Sequence, residues 1–142
     1  MDLAKYRALF LEEASEHLAE MSRALLALEK DAANGEAIDR FFRMAHSIKG
    51  MAASLDYDAI TRLAHRLEDQ MERVRRQGRV PGGERGLPLL FRGLEGLESL
   101  VVRVRDSGEP PAALEALERE LEGVAAGPED DGDPRPKKAA TP

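Results

Sequence analysis

The chain has 142 residues, a net charge of −6, 42% hydrophobic residues and only 4% aromatic ones, which suits one small domain with an aliphatic core plus a tail. It has no cysteine, so disulfides, thiolate metal sites and cysteine nucleophiles are excluded, and no apolar run approaches the roughly 20 residues of a membrane span. The acidic balance argues against a nucleic-acid partner, and the basic cluster in "MERVRRQGRV" reads instead as a helix C-terminus with favourable dipole contacts. The start "MDLAKYRALFLEEA" has no basic segment ahead of an apolar one, so it is not a signal peptide and a cytoplasmic location is expected.

The first periodic segment runs from about Leu3 to Lys30, with Leu3, Tyr6, Phe10, Ala14, Met21, Leu25 and Leu28 on one helical stripe. Asn34 and Gly35 punctuate the chain before a second segment, about Glu36 to Ser54, striped by Ile38, Phe41, Ala45, Ile48 and Ala52. A third covers about Tyr57 to Gln77 with Ile60, Leu63, Ala64, Leu67, Met71 and Val74; Asp56 or Asp58 is expected to cap it and Gly78 to end it. After the loop "GRVPGGERG", a fourth face carries Leu87, Leu90, Leu94, Leu97, Val101 and Val104, although Gly86, Gly93 and Gly96 weaken its helical signal. "SGEPP" breaks the chain again, and Pro111 is expected in the first turn of a shorter fifth helix with Leu114, Leu117, Leu121 and Val124. The pattern predicts an all-α fold over residues 1–126, an antiparallel up-down four-helix bundle with an accessory C-terminal fifth helix. From Gly127 onward, "GPEDDGDPRPKKAATP" has no large apolar residue, so 127–142 is expected to be a disordered linker or tail.

The second segment contains the most specific chemistry. With its apolar stripe turned inward, His46 lies about 120° around the helix from the stripe's centre and faces solvent. Phe42, Lys49 and Ala53 lie near it and Gly50 lies further round. An exposed imidazole beside an ammonium, next to a residue with no side chain, suits a phosphoryl acceptor. The neutral nitrogen is the nucleophile, Lys49 attracts phosphate oxygens, and Gly50 lets a partner's active site approach. Phe42 and Ala53 would supply apolar contact. An ordinary surface histidine with an incidental helix glycine satisfies the same pattern.

On the third segment His65 and Glu68 share a face, and Glu68 lies at the edge of the buried stripe, within reach of a neighbouring helix. A carboxylate accepting the Nδ1 proton of His46 would hold the tautomer whose Nε2 is free to attack phosphorus. A surface ion pair of Glu68 with Arg62, Arg66 or Arg75 is the plainer alternative. His17, among glutamates on the first segment, reads as structural.

Three stretches carry a family resemblance: the opening "MDLAKYRALFLEEASEHLAEM", the motif "FFRMAHSIKGMAASL" and the spacing of "LAHRLEDQMERVRRQG". Over roughly residues 1 to 80 the chain resembles a histidine-containing phosphotransfer domain, most closely the N-terminal phosphotransfer domain of CheA-type chemotaxis histidine kinases. The resemblance implies that His46 is phosphorylated, that Glu68 hydrogen-bonds its imidazole, that Lys49 and His65 assist, and that Gly50 gives clearance. Met51 and Ala53 depart from it, standing where smaller residues or glycine are common. It implies two partners: an ATP-binding kinase domain, expected in the same full-length protein, and the receiver domain of a response regulator.

No Gly-rich phosphate loop, kinase signature or paired acids suited to Mg²⁺ is visible, so this piece is expected to be a phosphoacceptor and not a complete kinase, with ATP and Mg²⁺ supplied by partner domains. A non-catalytic helical interaction scaffold is the competing reading. A metal protein is disfavoured, because His17, His46 and His65 form no E-x-x-H pair.

Overall fold

The computed structural model describes residues 2–126, with side chains described through residue 123; the expected linker over 127–142 lies outside the described residues. They form five helices and no strand: α1 (Leu3–Lys30), α2 (Gly35–Ser54), α3 (Asp58–Gln77), α4 (Leu87–Ser107) and α5 (Glu115–Ala126). Helices α1 to α4 each pack on their chain neighbour, and α4 returns against α1 to close a four-helix ring, while α5 lies outside on α3 and α4. The short turns enforce the up-down order, and the Val80 amide, which donates to the Ala32 carbonyl at 2.9 Å, ties the ends of α3 and α1 together.

The stripes read from the sequence converge on one core. Met21, Leu25, Phe41, Ile48, Ile60, Leu63, Leu67, Met71 and Leu97 are fully buried, each large side chain contributing about 1.5–3 kcal/mol by leaving water. Phe10 is the first buried residue of α1 and meets Tyr57, in the α2–α3 turn, edge-on at 5.3 Å. Because α1 has 28 residues against 20 in α2, its first turns run past that contact, and Leu3, Tyr6 and Leu9 there remain exposed.

Helix ends follow local chemistry in part. The Asp2 and Asn34 side chains accept hydrogen bonds from the Lys5 and Ala37 amides, and Arg75 and Arg76 sit in the last turn of α3 before the left-handed Gly78. The expected carboxylate cap of α3 is not formed: Tyr57 is the N-cap and offers no side-chain bond. Asp56 instead takes a left-handed conformation in the turn, which aspartate tolerates, and Asp58 lies within the first helical turn. Pro111 is likewise outside α5, which begins at Glu115. It extends the connection instead of opening the helix.

Gly93 and Gly96, which weakened the helical signal of α4, have a packing role. A Cβ at Gly96 would lie 2.5 Å from Leu117 Cδ2 and 3.3 Å from Leu63 Cδ2, and one at Gly93 would lie 2.5 Å from Leu67 Cδ2. The glycines let α3 and α5 approach α4 closely, against a cost of about 1 kcal/mol each in helix propensity. Arg62, Arg66 and Arg92 then pair with Glu118, Glu122 and Glu120 of α5 at 3.3, 3.7 and 2.6 Å.

Candidate functional site

The site is built between α2 and α3, the most extensively packed helix pair. The α2 stripe of Phe41, Ala45, Ile48 and Ala52 is buried, and this phase turns His46 outward, its side chain 64% exposed. On α3 the stripe of Leu63, Leu67 and Met71 is buried, and Glu68 lies at its edge with an 11% exposed side chain. Nδ1 of His46 lies 2.7 Å from Glu68 Oε2. The nitrogen facing α3 is thus engaged by the carboxylate, leaving Nε2 as the nitrogen available for chemistry.

Glu68 has a second partner in Lys49. Its Oε1 lies 2.7 Å from Lys49 Nζ, an ion pair without good hydrogen-bond alignment. Burial is the largest influence on the Glu68 carboxyl and opposes ionisation, but the contacts with Lys49 and His46, and then the charges of both, outweigh it and hold its pKa below the ordinary value. With Glu68 ionised, the His46 tautomer that satisfies it carries the proton on Nδ1 and a lone pair on Nε2.

Gly50 lies one turn beyond His46, and a Cβ there would meet no atom within 4 Å. Ala53 is also exposed, so the helix face past His46 is flat and accessible. Phe42, on the other side, is half-buried, and the Arg75 guanidinium covers its ring at 4.4 Å from the centroid. The Lys49 ammonium is paired with Glu68, and its side chain is 27% exposed. His65 stands on the same face of α3, but its partner is Asp69, with Nε2 3.5 Å from Oδ1.

The surface-pair alternative for Glu68 is not what forms: Arg62, Arg66 and Arg75 find Glu118, Glu122 and Glu72. His17 bridges helices, with Nε2 3.0 Å from Ser47 Oγ, in keeping with a structural role. Sequence reading missed Ser47 and the Asp39–Arg75 contact because each depends on which residue of the neighbouring helix stands opposite. No group of three or more potential metal-ligating side chains is found among the described residues, and no helix there is long and apolar enough to cross a membrane.

Fold and site together define a class: a helical bundle that presents a surface histidine braced from behind by a carboxylate. Comparison with known proteins gives the same class, for the family model described as Hpt domain matches residues 5–127, and the chain belongs to that family. It is similar to the chemotaxis protein CheA of Listeria monocytogenes serovar 1/2a, 34% identical over 116 residues that make up 82% of this chain and 19% of that protein. It also matches CheA of Bacillus subtilis (strain 168), at 31% identity over 139 residues, 98% of this chain and 20% of the relative. The chain thus spans about a fifth of the length of these curated relatives. Among solved structures, the phosphorylated P1 domain of CheA3 in complex with CheY6 from R. sphaeroides matches with a TM-score of 0.77 and 25% identity, over 86% of this chain and 96% of that one. The CheA phosphotransferase domain from Thermotoga maritima matches with a TM-score of 0.65 and 26% identity, over 74% and 98% of the two chains.

Proposed function

We propose that this chain is the phosphotransfer domain of a chemotaxis-type histidine kinase, accepting a phosphoryl group on His46 and passing it to an aspartate of a response regulator receiver domain. The observation that carries this reading is the pairing of His46 Nδ1 with the buried Glu68 carboxylate, which leaves Nε2 free on an exposed face. In the forward step the Nε2 lone pair attacks the γ-phosphorus of ATP held by a separate kinase domain. The N–P bond forms as the bond to the bridging oxygen breaks, and ADP carries away that electron pair. The imidazole gains positive character, which Glu68 stabilises through the Nδ1 proton. In the second step a receiver carboxylate oxygen attacks the same phosphorus and neutral imidazole leaves.

ATP and Mg²⁺ belong, in this reading, to the partner domains, and the relay works in the cytoplasm. Gly50 and Ala53 form the ground on which those partners seat; Lys49 holds Glu68 ionised, and His65 lies at the rim. Labelling with a CheA catalytic domain and ATP tests the proposal. Wild type should acquire acid-labile, alkali-stable phosphate and His46→Gln should acquire none. Labelling retained in His46→Gln, or absent from folded wild type, would overturn it, and the latter result would favour a non-catalytic scaffold.

A further inference from the structure

The α3 side of His46 carries a cation that the phosphotransfer chemistry does not use. Glu68, Glu72 and Arg75 follow one another at spacings of four and three residues, so they share one stripe of α3. Arg75 lies about 10 Å along the helix from Glu68. Opposite it, on α2, Phe42 is one turn before His46, and the Arg75 guanidinium rests on that ring at 4.4 Å. Its nitrogens also reach Glu72 Oε1 at 3.5 Å and Asp39 Oδ1 at 3.9 Å. Arg75 nevertheless remains 41% exposed.

The local charge does not balance. Asp39 is shared by Arg43 and Arg75, and Glu72 by Arg75 and Arg76, so two carboxylates serve three guanidinium groups. These five side chains leave one positive charge beside His46 on a protein whose net charge is −6. Arg43 and Arg76 are more exposed, at 61% and 67%, and are held by ion pairs alone. Arg75 is already immobilised by stacking, so it gives up less freedom when a partner engages it.

We propose that Arg75, laid over Phe42 on the α3 side of His46, is a specificity-determining residue that engages the acidic edge of the receiver domain taking phosphate from His46. The inference rests on the phosphotransfer reading above. The chemistry of such a receiver supplies the complement: an aspartate that accepts a phosphoryl group with Mg²⁺ needs further carboxylates to hold the metal, so its active-site rim is acidic. A pre-ordered cation stacked one helical turn from the donor histidine favours that rim and sets its orientation, while the flat Gly50–Ala53 stretch admits its bulk.

The test uses the whole chain, labelled on His46 by a CheA catalytic domain and ATP, with transfer to a CheY-type receiver domain of the same organism followed at several receiver concentrations and two ionic strengths. Arg75→Ala should raise the KM for the receiver by roughly 5- to 10-fold at low salt, with the saturated transfer rate within about twofold of wild type. It should also flatten the salt dependence of kcat/KM. Arg75→Lys, which keeps the charge without the stacked planar group, should be intermediate and keep most of the salt dependence. Wild-type KM and salt dependence in Arg75→Ala would overturn the inference, as would a lower melting temperature alone, which would make Arg75 a strut between α2 and α3. A wild-type chain that takes no label would instead overturn the phosphotransfer reading itself.

Discussion

His46 and Glu68 stand 22 residues apart on different helices, yet Nδ1 of one lies 2.7 Å from Oε2 of the other. The histidine is mostly exposed and the carboxylate mostly buried, so the buried partner orients the exposed one. Glu68→Ala should slow labelling of His46 by about 10- to 1,000-fold without abolishing it. Glu68→Gln should also be slow, because an amide oxygen accepts the bond but carries no charge. Nitrogen NMR should show the Nδ1–H tautomer losing population in Glu68→Ala. Wild-type rates together with an unchanged tautomer ratio would contradict the orienting role.

Acid should weaken the same pair. The Glu68 carboxyl titrates below its ordinary 4.5 in the folded protein. A depressed folded-state pKa gives stability that is complete above the unfolded-state value and lost as pH falls through the folded one. The melting-temperature difference between wild type and Glu68→Gln should therefore be widest above about pH 4.5 and shrink on further acidification. A difference that grows with acidity would contradict the sign.

Gly96 is where α5 is most sensitive to added bulk. A Cβ there collides with Leu117 and crowds Leu114, so Gly96→Val should lift α5 from α4 and destabilise the domain by about 1–3 kcal/mol. Calorimetry measures the loss. Helical circular dichroism should fall by no more than the share contributed by α5.

The His17–Ser47 bond joins α1 and α2, and His17 is expected to act as a brace and not as a phosphate site. His17→Ala should cost about 1 kcal/mol in denaturant unfolding and leave His46 labelling intact. Loss of labelling in a folded His17→Ala protein would contradict this assignment.

Ala53 tests the direction of approach. It is exposed two turns beyond His46, so Ala53→Glu should leave the unfolding free energy within about 0.5 kcal/mol of wild type and reduce phosphoryl transfer to the receiver. Transfer at the wild-type rate would place the partner elsewhere on the bundle.

Periodicity made the helices legible, because the burial of Phe41, Ile48, Leu63 and Met71 is a property of phase within one helix. The outward turn of His46 followed from the same phase. What phase does not reveal is which residue of the next helix stands opposite. That Arg75 lies over Phe42, and that Ser47 meets His17, depends on the offset and crossing of helix pairs, which packing across the whole core decides. For Glu68 the residues alone leave open a bond to His46 or a surface ion pair with an arginine, and the family resemblance is what implies the first. The expected cap of α3 failed for a local reason: Asp56 was taken up by the left-handed turn, leaving Tyr57 to begin the helix. Glycine in α4 reads as a weakness in the sequence because propensity scales see a missing side chain and not the leucine that fills its place.

The surplus length of α1 makes Phe10 a boundary for hydrogen exchange. Amides from Phe10 onward belong to turns sealed into the core, so their exchange requires the bundle to open. Those of the earlier turns belong to a stretch whose apolar side chains stay exposed, and exchange through local fraying with little free-energy cost. A protease that catches such a frayed state would clip the chain before Phe10 and leave the four-helix core, with His46 and Glu68, intact.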